Sequence, residues 1–343
     1  FRPVGHEVWP LEKMTTDSHI SRWTAAIDIA AIASIWCISL VIINPLGNFP
    51  LNDDWSYGLA VKHFIENGDF RPTGWTSMPL ITQVLWGSLF CIPAGFSFTA
   101  LRLSTLALSL LGILGVYLLM RELRQSRRLA ATASLTMGLT PIYCALSNTF
   151  MTDVPSMTLM ILSSLFFVRS LRDKPGLPLL MGSIFAIAAT LCRQLALAVP
   201  IAFSLSLLFR RGLTLATMAR AAAPPALCIG ALLGVQHWLT TAGRLPALYH
   251  DKTSDLLASL QSPTVIRNFA NNACVALLYL GLFLLPVLIL ALPSMWRSRP
   301  KRVAVLLAVS TGLIGAGLMC KAHPLMPASG KILVASGIGP LNL

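Results

Sequence analysis

Charged side chains are scarce in this sequence, and acidic ones are the scarcest. Of its 343 residues, 11% are charged and 55% are hydrophobic, with a mean hydropathy of +0.71. Soluble domains carry about 25% charged residues, so this composition excludes an ordinary soluble fold. The long apolar runs instead predict an all-α polytopic membrane protein, because a helix of about 20 apolar residues crosses a bilayer.

The shortage of acidic residues leaves a large positive net charge. There are 13 acidic residues against 26 lysines and arginines, which gives +13. Such an excess can indicate nucleic-acid binding, but here the basic residues lie in short gaps between apolar runs. That distribution is typical of cytoplasmic loops and argues against a nucleic-acid partner. The clusters are Arg121, Arg124, Arg127 and Arg128; Arg169, Arg172 and Lys174; Arg210, Arg211 and Arg220; and Arg297, Arg299, Lys301 and Arg302.

Cysteine motifs and internal repeats are also lacking. The seven cysteines are an odd number, none forms a Cys-x-x-Cys motif, and all lie in or beside apolar segments. We therefore interpret them as packing residues in the bilayer rather than as metal ligands or disulfides.

Nine apolar segments are candidate spans, and together they form the middle one of three parts of the chain. We expect a cytoplasmic tail over 1–23, a transmembrane domain over 24–320, and the start of an extracytoplasmic C-terminal segment over 321–343, where the chain is expected to be truncated. The candidate spans lie at 24–44, 99–120, 129–147, 153–170, 177–194, 195–210, 219–239, 274–293 and 302–320.

The run 79–96 is apolar too, but the distribution of charge argues against a crossing there. With the N-terminal tail inside, a crossing would place the basic clusters at 121–128 and 297–302 outside. If the run instead lies in the outer interface or dips in and returns, every strong basic cluster falls inside. The first outer loop then covers 45–98, and it includes a predicted amphipathic surface helix that ends at Gly68.

This topology brings four charged residues to the outer face. Asp53 and Asp54 lie in the first outer loop, Asp153 lies at the head of a span, and Arg193 lies at a later outer turn. A charged side chain near the bilayer centre costs roughly 2.5–3.5 kcal/mol, so residues of this kind are functional candidates.

These four residues suit the transfer of a sugar from a lipid phosphate. A carboxylate at the interface can act as a general base, because partial desolvation raises its pKa. Asp53 and Asp54 could instead hold a divalent cation, although two acids are a weak metal signal. Arg193 could offer a bidentate fork to the oxygens of a phosphate leaving group.

Each of these residues also has a simpler interpretation. Asp53 and Asp54 could form a solvated turn or a helix cap, and Asp153 could be the N-cap of its span. Arg193 could be a snorkelling residue at the end of a span. Trp75 could be an interface aromatic or could stack on a sugar. The shared placement of the charged groups on one face is what favours function.

Several short motifs follow one another along the first 200 residues. In order they are Asp53-Asp54-Trp55-Ser56-Tyr57, Gly68-Asp69, Pro79-Leu80, Arg102-Leu103-Ser104 and Thr152-Asp153-Val154-Pro155. This order resembles the membrane glycosyltransferases of the protein O-mannosyltransferase and aminoarabinose-transferase type. The resemblance covers roughly residues 30–200 and rests on order and spacing, since no single motif is specific.

The resemblance implies a GT-C-like architecture whose first extracytoplasmic loop is catalytic. It also implies a polyprenyl-phosphate sugar as donor, inversion at the anomeric carbon, and a bacterial inner (plasma) membrane with the active site on the periplasmic side. The acceptor could be a lipid, a protein or a glycan.

Site residues follow from the same resemblance. Asp53 matches the first acid of the family's Asp-Glu pair, Asp54 stands where Glu is usual, and Asp153 matches the acid of the second outer loop. Arg193 falls near a lysine that in the family often meets the lipid phosphate. Tyr57 and Trp75 are candidate substrate-pocket residues.

The chain departs from the family at Ser77-Met78-Pro79-Leu80, where many relatives have Lys-Pro-Pro-Leu. The family's lysine is a candidate phosphate contact, so another cation would have to replace it. The candidates are Lys62, Arg71 and Arg102.

Two other classes of function fit the composition. A transporter or flippase for a lipid-linked or anionic solute would place ionisable residues near the midplane and often shows inverted repeats. Here the acids lie at span ends and no repeat is visible. A non-catalytic lipid-binding subunit of a larger assembly is the third alternative.

Overall fold

The computed structural model describes residues 22–93, 95–172, 176–249, 277, 280–298, 300, 333–334 and 337–338. The predicted tail up to residue 21, the predicted span at 302–320 and most of the C-terminal segment lie outside these residues. The described elements are α1 (Arg22–Ile43), α2 (Asp54–Asn67), α3 (Ile81–Cys91), α4 (Phe98–Glu122), α5 (Arg127–Leu139), α6 (Pro141–Ser147), α7 (Asp153–Arg172), α8 (Gly176–Cys192), a 3₁₀ helix (Gln194–Leu197), α9 (Ala198–Arg211), α10 (Leu215–Thr241), α11 (Leu285–Ser298), and an antiparallel pair of two-residue strands, β1 (Leu333–Val334) and β2 (Gly337–Ile338).

Apolar helices dominate this architecture, and the predicted all-α membrane fold is confirmed. In the described part of the chain, five segments are long and apolar enough to cross a membrane. They are Thr24–Ile43, Phe98–Glu122, Asp153–Arg172, Gln194–Arg211 and Leu215–Thr241.

A sixth span would consist of α5 and α6, which meet at a bend of 62°. The bend falls at Thr140, whose backbone is extended, and Pro141 opens α6. A residue before proline is pushed out of the helical region, while proline itself fits the first helical position. The sequence Thr140-Pro141 thus ends one helix and starts the next.

The apolar run at 79–96 forms only a short helix. Helix α3 has 11 residues, which at 1.5 Å per residue is about half the thickness of the hydrocarbon core. It packs between α2, α4 and α8. This length favours the interpretation that the run does not cross the membrane.

Helix α4 lies at the centre of the bundle and packs closely on α7. A Cβ at Gly112 would lie 2.5 Å from the Thr158 hydroxyl and 2.8 Å from the Tyr143 hydroxyl. Thr158 donates to the carbonyl of Leu108 at 2.9 Å. Small residues and hydroxyl-to-carbonyl bonds are the usual means of holding helices together where the surrounding lipid removes any hydrophobic driving force.

One end of the bundle is held by ion pairs with arginine. Asp28 in α1 accepts two hydrogen bonds from Arg127, at 2.7 and 2.8 Å, and one from the Tyr117 hydroxyl at 2.6 Å. Glu122 at the end of α4 accepts from Arg169 at 2.9 Å and from Arg172 at 2.7 Å. We call this end of the bundle the arginine end. The ends of α1, α6 and α8 and the starts of α2, α4 and α7 lie at the other end.

Candidate active site

The acid pair lies at the start of α2, and its two members point into different surroundings. Asp53 precedes the first residue of α2 and is exposed. Its side chain makes no capping hydrogen bond to α2, a helix whose residues the structure describes throughout. Asp54 is the first residue of α2 and its side chain is buried, with 2% of the residue exposed. Of the two adjacent acids, Asp53 therefore presents an accessible carboxylate and Asp54 a buried one.

Asp54 holds two chain segments together. One carboxylate oxygen accepts from the backbone N–H of Leu51 at 2.5 Å, and the other accepts from the backbone N–H of Phe150 at 3.2 Å. Phe150 belongs to the turn between α6 and α7, so Asp54 ties the first loop to the segment that leads to Asp153. Burial raises the pKa of Asp54 to about 6, and the two backbone hydrogen bonds oppose that rise.

The second site component is an ion pair between Asp153 and Arg193. Asp153 is the first residue of α7, and Arg193 follows α8 directly, so the two helix ends bring them together. An Arg193 guanidinium nitrogen contacts the Asp153 carboxylate and lies 3.5 Å from the Thr152 hydroxyl. The side chains are 31% and 36% exposed for Arg193 and Asp153 respectively, so the pair is open to a ligand.

Tyr57 connects the two components. Burial raises the pKa of its hydroxyl to about 12. Three charged residues also act on this pKa: the carboxylates of Asp53 and Asp153 raise it, and the Arg193 guanidinium lowers it. The hydroxyl therefore lies within electrostatic reach of all three charged residues. Asp53, Asp153 and Arg193 therefore lie at the same end of the bundle as Tyr57, whose role in a substrate pocket stays a prediction.

Met78 lies in the same place, at the position where the chain departs from the family pattern. Its sulfur is 3.4 Å from the Tyr57 hydroxyl and 3.6 Å from the Thr152 hydroxyl. Its neighbour Ser77 accepts a hydrogen bond at its carbonyl from Gln194 at 3.0 Å. The segment before α3 is thus fixed against the Thr152 and Gln194 turns, although it carries no cation.

Helix α3 is fastened to the same end of the bundle by polar side chains. Gln83 donates to the carbonyl of Phe150 at 3.3 Å, and Thr82 donates to the carbonyl of Ala188 in α8 at 2.7 Å. The Cys192 thiol lies 3.7 Å from the Gln83 side-chain oxygen. These contacts hold α3 as a wall between the Asp54 and the Asp153–Arg193 parts of the site.

The three cations proposed to replace the family's lysine lie in different surroundings. Arg102 is 3% exposed and donates to the carbonyls of Pro45, Gly47 and Phe49 at 2.6, 3.2 and 3.1 Å. This geometry favours a structural role for Arg102, as the clamp of the loop after α1. Lys62 is exposed and lies 3.9 Å from Glu66.

Arg71 is exposed, and Trp75 is 71% exposed. Both lie in the stretch between α2 and α3, and neither side chain makes a hydrogen bond, ion pair or ring contact with another described residue. Their proposed roles in phosphate binding and sugar stacking stay predictions.

A second charged network was not singled out as functional from the sequence. Asp69 accepts from His63 at 2.6 Å and pairs with Arg244 at 2.9 Å, which links the α2–α3 stretch to the segment after α10. The Gly68-Asp69 motif was a visible signal for one member. Arg244 lies 175 positions away from Asp69, and only the tertiary structure joins the two.

A metal site finds little support in the described residues. They contain no group of three or more His, Cys, Asp or Glu side chains that could hold a metal ion. Both Asp54 oxygens already accept backbone hydrogen bonds, so the pair Asp53 and Asp54 does not present two free carboxylates to a divalent cation.

The described residues form an all-helical membrane bundle with carboxylates and an arginine gathered at one end, which fits the GT-C-type architecture that the resemblance implies. Residues 78–236 match the family described as dolichyl-phosphate-mannose-protein mannosyltransferase. This match confirms the resemblance drawn from the motifs, and enzymes of this family use a polyprenyl-phosphate sugar. The matched range includes Met78, Asp153 and Arg193, whereas Asp53 and Asp54 precede it. No curated protein and no solved structure matches the chain.

Proposed function

We propose that this protein transfers a sugar from a polyprenyl-phosphate carrier to an acceptor hydroxyl on the extracytoplasmic face, with inversion at the anomeric carbon. The observation that carries the proposal is a chain of contacts: the Met78 sulfur meets both the Tyr57 and the Thr152 hydroxyls, and Thr152 lies beside the Arg193–Asp153 ion pair. Asp53 lies at the start of the helix that contains Tyr57. The match to a mannosyltransferase family supports mannose or a related hexose as the sugar.

Asp53 is the general base in this proposal, because it is the accessible member of the acid pair. Its carboxylate takes the proton of the acceptor hydroxyl as the acceptor oxygen bonds to the anomeric carbon. A positioned base contributes roughly 10²–10⁴-fold to a rate. Asp54 supports this base indirectly, by fixing the start of α2.

Arg193 stabilises the leaving group. The bond between the anomeric carbon and the phosphate oxygen breaks as the new glycosidic bond forms, and the polyprenyl phosphate departs with the electron pair. A guanidinium suits that developing charge because it can donate two parallel hydrogen bonds to phosphate. Asp153 orients Arg193 through their ion pair.

The surroundings of Asp53, Asp54 and Asp153 favour a single displacement at the anomeric carbon over a double displacement. Double displacement would need a second free carboxylate as nucleophile. Asp54 is buried and hydrogen-bonded, and Asp153 is paired with Arg193. Asp53 is then the acid that remains for a base, which supports inversion.

The test is transfer of radiolabelled sugar from polyprenyl-phosphate mannose by the purified full chain in nanodiscs. Asp53→Asn should lower kcat by about 10²–10⁴-fold. Arg193→Gln should also lower kcat, because the guanidinium stabilises charge that develops on the phosphate as it leaves. Glu66→Gln is the matched control, since it removes an exposed charge from the same helix. Wild-type rates for both Asp53→Asn and Asp153→Asn would overturn the assignment.

A further inference from the structure

A second polar cleft lies at the arginine end of the bundle, at the opposite pole from the candidate active site. The ends of α7 and α9 and the starts of α8 and α10 form it. Its polar members are Ser170, Thr217, Arg211 and Arg220, and its apolar members include Phe203 and Leu207.

The two arginines of the cleft have no acidic partner among the residues that the structure describes. Within the described residues neither Arg211 nor Arg220 takes part in a salt bridge. Glu122, at the end of α4, pairs with Arg169 and Arg172 and not with these two arginines. Two exposed guanidinium groups at one cleft form a site for an anion.

The rest of the cleft is firmly built. Ser170, Thr217, Phe203 and Leu207 are buried. Phe203 stacks on Phe167 with ring centroids 4.2 Å apart. Helices α9 and α10 are joined there by a hydrogen bond from the Ser204 hydroxyl to the Ala221 carbonyl at 2.5 Å. The cleft therefore has a fixed apolar base beneath its charged groups.

The surroundings of the cleft are apolar and exposed. Phe209, Leu213 and Leu215, at the junction of α9 and α10, are each at least 77% exposed. Apolar side chains at the ends of two candidate spans are covered when acyl chains surround them. A ligand could therefore enter the cleft from the membrane as well as from water.

The size of the cleft excludes an engulfed ligand. Its volume of about 250 Å³ includes the solvent at its open mouth, so little of that space is enclosed by protein. A phosphate group can rest between the arginines while the remainder of its molecule stays outside. A lipid head group fits that description, because its acyl chains lie along the helices.

We propose that this cleft binds the phosphate of an anionic phospholipid in the leaflet at the arginine end, with Arg211 and Arg220 as its cationic contacts. Basic pockets between membrane helices are a known way to recognise such head groups. Ser170 and Thr217 supply hydroxyl groups to the same site. The proposal goes beyond the sugar transfer, since none of these residues belongs to the candidate active site.

The test is native mass spectrometry of the full chain released from phosphatidylcholine nanodiscs that contain increasing amounts of phosphatidylglycerol. The wild type should retain phosphatidylglycerol saturably. Arg211→Gln with Arg220→Gln should weaken that retention on the order of 30-fold, since each basic residue at a membrane surface contributes roughly 1 kcal/mol toward anionic lipid. Arg211→Lys with Arg220→Lys should restore most of it.

The matched control is Arg210→Gln with Arg128→Gln, which removes the same charge from exposed arginines that do not line the cleft. It should retain clearly more lipid than the cleft double, because its arginines do not contact the proposed head group. Equal losses in the two glutamine doubles would show a general charge effect and overturn the site, as would full retention in the cleft double. Displacement of the lipid by inorganic phosphate would also overturn it, because the ligand would then be a soluble phosphate. Unchanged thermal stability of the cleft double shows that the fold is intact.

Discussion

Two adjacent aspartates can differ completely in environment when they straddle the start of a helix. Asp53 lies before α2 and faces solvent, while the next residue turns inward and its carboxylate meets the backbone of Leu51 and Phe150. Asp53 is thus the proposed base, while Asp54 holds the start of α2 in place. Substituting each residue separately tests these two roles.

Asp54→Asn should lower the thermal stability of the protein, whereas Asp53→Asn should not. The asparagine amide would face a backbone N–H that needs an acceptor, and an unsatisfied buried donor costs about 1–3 kcal/mol. Thermal unfolding in detergent measures the difference, with Glu66→Gln as the control. Equal destabilisation by Asp53→Asn and Asp54→Asn would contradict this division of roles.

The buried Asp54 also predicts a dependence of stability on pH. Its pKa is about 6 in the folded protein against an ordinary value of 3.8, so the folded state keeps the proton at pH values where the unfolded chain has lost it. The stability from this group is therefore greatest below pH 3.8 and falls as the pH rises to about 6.

The measurement is the melting temperature of the wild type and of Asp54→Asn across that interval. The wild type should lose more stability than the variant as the pH rises, and the difference should level off above about pH 6. A difference that grew in the opposite direction would show that Asp54 is ionised when folded throughout.

At the scale of elements, the contact between α4 and α7 is decided by a glycine. Gly112 leaves room for the hydroxyls of Thr158 and Tyr143, which bond to carbonyls of α4. The same two helices end in the candidate site at one pole and in the Glu122 ion pairs at the other. Their spacing therefore sets the position of Asp153.

Gly112→Ala should destabilise the protein and reduce sugar transfer. The new methyl group would lie 2.5 Å from the Thr158 oxygen, and forcing a group into a well-packed site typically costs about 1–3 kcal/mol. Gly230→Ala in α10 is the control, because nothing lies within 4 Å of its Cβ. Thermal unfolding and the transfer assay report the two effects, and equal stability of both variants would refute the packing argument.

The elements themselves were largely predictable. The predicted spans at 99–120 and 153–170 correspond to α4 and α7 within a few residues, because the apolar length of a segment identifies a membrane helix. The segment 177–194 coincides with α8, an apolar helix of 17 residues that is shorter than those spans. The division of 129–147 into α5 and α6 was not predicted, although Pro141 was a signal for it.

The whole molecule has two chemically different poles. Asp53, Asp54, Asp69 and Asp153 lie at one pole, and the basic clusters at the ends of α4, α7 and α9 lie at the other. This polarity is what the positive-inside rule requires of a polytopic protein. The rule predicts that the acidic pole faces outside.

Cysteine labelling of intact cells tests this orientation. In a background without native cysteines, Trp75→Cys should react with an impermeant maleimide added outside, because its position is exposed at the acidic pole. Arg128→Cys should react only after the membrane is permeabilised. Both should react equally in detergent. Labelling of both positions from the same side would contradict the proposed topology and the extracytoplasmic site with it.

The sequence by itself determined the class of fold, the approximate spans and the candidate charged residues, because composition and the length of apolar runs follow directly from the demands of the bilayer. It also indicated that Asp153 and Arg193 share a face. Only the tertiary structure decided which acid of the pair is accessible, that Asp153 pairs with Arg193, and that Arg102 serves the loop after α1. Those outcomes depend on contacts between residues 40 to 96 positions apart, and no local pattern in the chain specifies such contacts.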